Sequence, residues 1–129
     1  MEIRTSYTCP LEIVHDIIKG KWKTIILFQL KYGNAALTKL EHDIAGINQK
    51  MLLQQLKELQ EFGLVGKQSF DGYPLHVEYF LTPDKGRKIL QAIDIMQEIG
   101  IEYMVEHGMT DVLDQKGIPY TKYLSDTHK

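Results

Sequence analysis

The sequence has one cysteine, one tryptophan and no apolar run of the length that crosses a membrane. A lone thiol, Cys9, cannot build an internal disulfide framework or a thiolate metal cluster, and it fits a reducing compartment. A spanning helix needs about 18 or more consecutive apolar residues, so no membrane partner is expected. The opening stretch MEIRTSYTCPLE lacks the apolar core and cleavage site of a secretory signal, and the expected location is cytoplasmic. There is no Gly-rich phosphate loop and no nucleophile elbow. The histidines, at positions 15, 42, 76, 107 and 128, have no metal-ligand spacing. No enzyme activity, metal or cofactor is therefore expected.

What is present is one ordinary domain's worth of chain, 129 residues with 25% charged side chains and a net charge of −2. The charge is unevenly placed. Residues 1–90 hold 12 Lys/Arg against 10 Asp/Glu, while residues 91–129 hold 3 against 7. Local fields rather than the total decide where a polyanion docks, and Lys19, Lys21, Lys23 and Lys31 lie close together in the first part.

Pro10 suits the first position of a helix through residues 10–19, with Cys9 before it and Gly20 after it. A second helix is expected over residues 21–32, with Trp22 as a core aromatic and Lys21 and Lys23 either on phosphate or on a solvated surface. Residues 35–37 read as a short strand. Thr38 with Glu41 three residues later forms a capping-box pattern for a third helix, and Asn48 is a good N-cap for a fourth that stops at Gly63. The period then changes to two: LVGKQSF and LHVEYFL flank the turn signal Asp71–Gly72, and Pro74 lengthens the connection. Thr82–Pro83 opens a long helix to about residue 107. The remainder, with breakers at Gly117 and Pro119, reads as a tail with one further helical turn and a frayed end. Two short helices followed directly by a hairpin describe a winged helix-turn-helix, mainly α with a small β-hairpin.

The stretch INQKMLLQQLKELQEFGLV, residues 47–65, sets Leu52, Leu56 and Leu59 on one face. The opposite face collects Lys50, Gln54 and Lys57 with Leu53 on its flank, and Glu58 and Glu61 toward the far end. The N-terminal part of the second helix in a helix-turn-helix reaches base edges. Gln can pair both its polar atoms with adenine, Lys can reach guanine or phosphate, and Leu can rest on a thymine methyl. Asn48 and Gln49 join this set, and Lys67 and His76 are the cations that a wing could offer. The bland alternative is a solvated face with an ordinary Lys57–Glu61 pair.

The residues CP, GKW, INQKMLLQQLKELQEFGLV and VEYFLT, in this order and spacing over about residues 9–107, resemble the HxlR-type winged-helix transcriptional regulators of bacteria and archaea. The resemblance implies a homodimeric DNA-binding regulator, with the helix at 48–62 as recognition helix and the hairpin at 64–81 as wing. It also implies that the N-terminal and long C-terminal helices build the dimer. Departures from the family's pattern lie at Ala36–Leu37, where an Arg-Phe pair is common, and at Lys50 and Lys67, where arginine is frequent. Leu53 stands where a hydroxyl residue is usual, and IGIEYM lacks a late tryptophan. Lysine is a point charge where arginine is a bidentate fork, so these changes bear on operator sequence and phosphate affinity.

In the long helix Ile89, Ile93, Met96, Gly100, Tyr103 and His107 recur at alternating spacings of four and three, and further apolar residues cover neighbouring faces. This exceeds one face and asks for two packing partners, its own domain and a second subunit, with Gly100 permitting close approach. The expected division is a winged-helix domain with its dimerisation helices over residues 1–109 and a tail over 110–129. Cys9, at a helix N-terminus, is a candidate for a reactive thiol if the fold brings Arg4 or lysines near, the alternative being a chemically silent residue packed under the helix. Some members of the resembled family sense oxidants, quinones or aldehydes through a cysteine before the same proline, although this chain lacks the second cysteine some of them use. The expected partners are a pseudo-palindromic double-stranded DNA operator and a second copy of the chain, with any small-molecule inducer unidentified. The competing reading is a winged-helix module for protein–protein interaction without specific DNA binding, to which a sequence pI of about 6.2 lends support.

Overall fold

Proline fixes φ near the helical value and lacks an N–H that a helix start would leave unpaired, and Pro10 duly begins α1 (Pro10–Ile18). The computed structural model describes residues 4–72 and 74–124. It continues with α2 (Lys23–Gln29), which tightens into a 3-10 turn (Leu30–Tyr32), then α3 (Leu37–Asp43) and α4 (Gln49–Glu61). The hairpin of β1 (Val65–Phe70) and β2 (His76–Leu81) follows, then α5 (Lys85–Glu106), α6 (Thr110–Lys116) and α7 (Thr121–Leu124). The chain forms two compact units divided after Gln91.

The first unit is built on leucine and isoleucine. Ile26, Leu27, Leu30, Leu40, Leu52, Leu56 and Leu59 are fully buried, joined by Leu64, Val65, Tyr79 and Leu81 from the hairpin. Each such side chain contributes about 1.5–3 kcal/mol on leaving water. The strands pair antiparallel from Val65↔Leu81 to Phe70↔His76, leaving residues 71–75 as the connection. Tyr73 lies outside the described residues.

Several boundaries differ from the sequence reading. The second helix begins at Lys23 rather than Lys21. The expected strand at 35–37 is a single bridge, Ala35↔Tyr79, with N–H···O distances of 3.0 and 2.8 Å. That bridge anchors the chain just before α3, which starts at Leu37 with Ala36 as its extended N-cap. Thr38 therefore sits inside the first turn and the capping box does not form. Asn48 does cap α4: its side-chain oxygen accepts from the Met51 N–H at 2.8 Å. The region after Gly108 is more ordered than the sequence suggests. In the second unit Leu113 of α6 and Tyr123 of α7 bury against Ile101 and Val105 of α5, with Met104, Ile118 and Tyr120 packed around them. Helices this short show no period of their own, and tertiary packing holds them. Part of the expected frayed end, residues 125–129 with His128, lies outside the described residues.

One hydroxyl joins three segments of the first unit. Thr82 Oγ1 donates toward the Gly63 carbonyl at 2.7 Å and the Leu64 carbonyl at 3.3 Å, and accepts from the Gly86 N–H at 2.8 Å. The end of α4, the end of β2 and the start of α5 meet there. A Cβ on Gly86 would lie 2.4 Å from the Leu64 carbonyl oxygen and 2.9 Å from Thr82 Oγ1, so only glycine fits. Gly86→Ala is expected to destabilise the fold by about 1–3 kcal/mol, read as a lowered midpoint in thermal or urea unfolding. An unchanged midpoint would mean that this junction relaxes freely.

Candidate nucleic-acid interface

The turn between α3 and α4 is set by two buried isoleucines and one glycine. Ile44 and Ile47 anchor its ends in the core, and Gly46 takes a positive φ of 87° that a side chain disfavours. With Leu52, Leu56 and Leu59 buried, the other side of α4 must face water. Gln49, Lys50, Gln54 and Lys57 are exposed there, as are Leu53 (42%) and Met51. Asn48, at the start of this face, is exposed but uses its side-chain oxygen for the cap. Among the described residues no partner holds the side chains of Lys50, Gln54 or Lys57, so their donors and acceptors stay available. The face combines two cations, two amides and two apolar groups, which can contact phosphate, base edges and a thymine methyl respectively.

Glu58 is not on this face, contrary to the sequence reading. It is buried, as is Lys23, and the two meet at 3.5 Å. Lys23 therefore contributes nothing to a phosphate-binding surface. Lys21 remains exposed, its ammonium 4.6 Å from the centre of the half-buried Trp22 ring. Removing Glu58 leaves the outer face less acidic than the alternation of residues suggested.

On the hairpin, Lys67 is exposed and opposite Tyr79. His76 is exposed too, but its Nε2 lies 2.8 Å from Glu78 and its ring leans on Phe70, with centroids 5.6 Å apart. A carboxylate thus offsets whatever charge His76 brings. The tip also exposes Phe70 and Leu75, two apolar residues that the sequence reading did not single out. Their flanking of the turn was the available signal.

Cys9 is exposed in the extended residue before α1, and its side chain makes no capping bond. Glu12 instead reaches back past Cys9, accepting from the Thr8 N–H at 3.2 Å and from the Thr8 hydroxyl. Arg4 is engaged elsewhere: its Nε donates to Asp16 at 2.8 Å and its guanidinium stacks 4.6 Å from the Tyr7 ring centre. The Arg4 hydrogen bond holds the Asp16 carboxyl below the ordinary aspartate range, and the Thr8 bonds do the same for Glu12. This clasp ties residues 4–8 to α1 on either side of the thiol.

On α5 the expected interface series divides. Ile93 is only 4% exposed within its own chain and Ile89 is half-buried, whereas Met96 (50%), Gly100 and Tyr103 are open. A repeat of four and three follows a line between two apolar faces and so samples both. The inward face carries Leu90, Ile93, Ile101 and Val105, and the outward face carries Ile95, Met96, Ile99 and Tyr103. Ile95 and Ile99, which stood outside the series, are the most exposed aliphatic residues of the stripe. The Tyr103 ring stacks on His107 at 4.0 Å. Among the described residues, a Cβ on Gly100 would meet nothing within 4 Å.

Residues 17–108 match the family model described as HxlR-like helix-turn-helix. The chain is 35% identical over 97 residues to an uncharacterised HTH-type transcriptional regulator of Methanothermobacter thermautotrophicus, covering 75% of this chain and 73% of that relative. Among solved structures it is similar to the redox regulator HypR in its reduced form, with a TM-score of 0.68 and 32% identity over 83% of this chain and 99% of that one. It is also similar to the reduced form of the transcriptional regulator YodB of Bacillus subtilis, with a TM-score of 0.63 and 30% identity over 71% and 90% of the two chains.

Proposed function

Because the chain belongs to the HxlR-like helix-turn-helix regulators of transcription, we propose that it works as a homodimer that reads a pseudo-palindromic DNA operator through α4. The observation that carries this reading is the outward face of α4, where Gln49, Lys50, Leu53, Gln54 and Lys57 are exposed together. Lys67 supports it from the wing, while His76 with its Glu78 partner and the apolar tip contributes shape more than charge. Operator binding is expected to weaken steeply with salt, as phosphate neutralisation releases counterions. A winged helix that serves only protein partners would prefer no duplex over another.

Within this reading Gln54 and Lys57 have different duties. Gln54→Ala should lose base-edge contacts worth about 1–3 kcal/mol and change which operators are bound. Lys57→Ala should lower affinity evenly across sequences and reduce the salt slope by about 1. Selection of bound sites from a random DNA pool, followed by titration at two salt concentrations, separates the two. Equal losses on selected and random DNA for Gln54→Ala would remove its assigned role.

This reading assigns the dimer contact to the outward stripe of α5, where Ile95, Met96, Ile99 and Tyr103 are exposed with the open Gly100 among them. Such a stripe leaves apolar area in water that a second copy would cover. Gly100→Leu would push the facing surfaces apart and weaken association by about 1–3 kcal/mol, while the stability of the single chain should hold, since no described residue crowds that position. Sedimentation across a concentration series checks this, and a wild type that remains monomeric at micromolar concentration would sink it.

The exposed Cys9 supports a finer reading, that a thiol-directed oxidant or electrophile changes operator binding. Mild oxidant should then alter binding by the wild type and leave Cys9→Ser unaffected. Indifference in both proteins, with Cys9 alkylating no faster than a free thiol, would leave only a structural role.

A further inference from the structure

Lys23 occupies a place that local chemistry opposes. It opens α2, where the helix dipole already presents partial positive charge, and only 3% of it is exposed. No acidic residue in the first turn of α2 offsets that. The compensation comes from α4. Lys23 Nζ donates to Gln55 Oε1 at 2.9 Å and lies 3.5 Å from Glu58 Oε2, a carboxylate that is itself buried. The Gln55 amide nitrogen in turn faces Met51 Sδ at 3.5 Å. One cation thus grips two side chains one turn apart on the helix that exposes Lys50, Leu53, Gln54 and Lys57.

The leucines beneath α4 decide which side faces the core but leave its roll free by about 20°, because apolar attraction is non-directional. Hydrogen bonds are directional, and Gln55 and Glu58 lie at the edge of α4 between the leucine face and the outward face. A side-chain tip about 6 Å from the helix axis moves about 2 Å in a roll of about 20°, more than a base-edge hydrogen bond tolerates. A buried ion pair is commonly no better for stability than apolar residues of similar volume, and the attested use of such pairs is to fix one arrangement among several. We propose that Lys23 is a positioning residue that sets the roll of α4 through Gln55 and Glu58, and with it the bases that the outward face can read. This rests on the DNA-binding reading above, and the effect on roll can be measured without DNA.

The test combines Lys23→Met with Glu58→Met, which removes both buried charges together. Two readouts follow thermal unfolding: the ratio of affinities for selected operator and random DNA, and the distance between nitroxides at Lys57→Cys and His42→Cys. The distance is measured in Cys9→Ser protein diluted with unlabelled protein, without DNA. The expected result is a folded protein of near wild-type stability whose distance distribution shifts or broadens and whose operator preference falls about tenfold or more. An unchanged distribution and an unchanged ratio would overturn the inference and leave the pair as packing only. A wild type that prefers no duplex would overturn the DNA reading, while the distances still decide whether Lys23 sets the roll. Should the double variant not fold, Glu58→Gln, which keeps the shape and removes the charge, is judged by the same two readouts.

Discussion

Burial of Leu52, Leu56 and Leu59 is the constraint from which the first unit follows. These three side chains put one side of a 13-residue helix into the core, so the opposite side has no choice but to face outward. The identity of the exposed residues then becomes chemistry rather than geometry. α2 and α3 supply the other walls of that core, and the turn at Gly46 brings α3 and α4 together without breaking the layer between them. The hairpin closes the remaining side through Leu64, Val65, Tyr79 and Leu81. The hydroxyl of Thr82 fixes where that closure ends and the long helix begins.

Much of this was legible in the sequence because the decisive signals are local. Asn48 caps α4 as its type and position indicate, Pro10 opens α1, and the change of period after Gly63 marks the hairpin. What could not be read is set by contacts remote in sequence. Nothing near Thr38 announces that Ala35 pairs with Tyr79 and moves the start of α3 forward. Nothing near Lys23 or Glu58 announces that two charged residues more than thirty positions apart are buried together. Charged residues are assigned to water by default, and a buried pair defeats that default from both ends at once. The same limit misplaced Ile93: a heptad-like repeat fits a line along α5, but only packing tells which apolar residues the chain covers for itself.

The segments before and after the family match are held in place differently. Ahead of α1, a clasp of Arg4, Tyr7, Thr8, Glu12 and Asp16 holds residues 4–8 in place by charge and hydrogen bonds, with no deeply buried apolar anchor. Such a segment responds to salt and acidity more than to temperature. After residue 108, where the family match ends, α6 and α7 are held by aliphatic and aromatic burial instead. That segment responds in the opposite way, since burial of apolar surface is little affected by screening.

The cover that Leu113 and Tyr123 place over Ile101 and Val105 separates two kinds of dependence on protein concentration along one helix. The last turns of α5 are buried by the chain's own continuation, so their order is a unimolecular property that dilution leaves intact. The stripe at Ile95, Met96 and Ile99 has no such cover from the described residues of its own chain. Anything gained by burying it depends on how many other molecules are present. A cell that makes little of this protein would therefore hold molecules with an ordered C-terminal unit and a bare stripe. Under the proposed dimer, abundance itself sets how much of that stripe is covered.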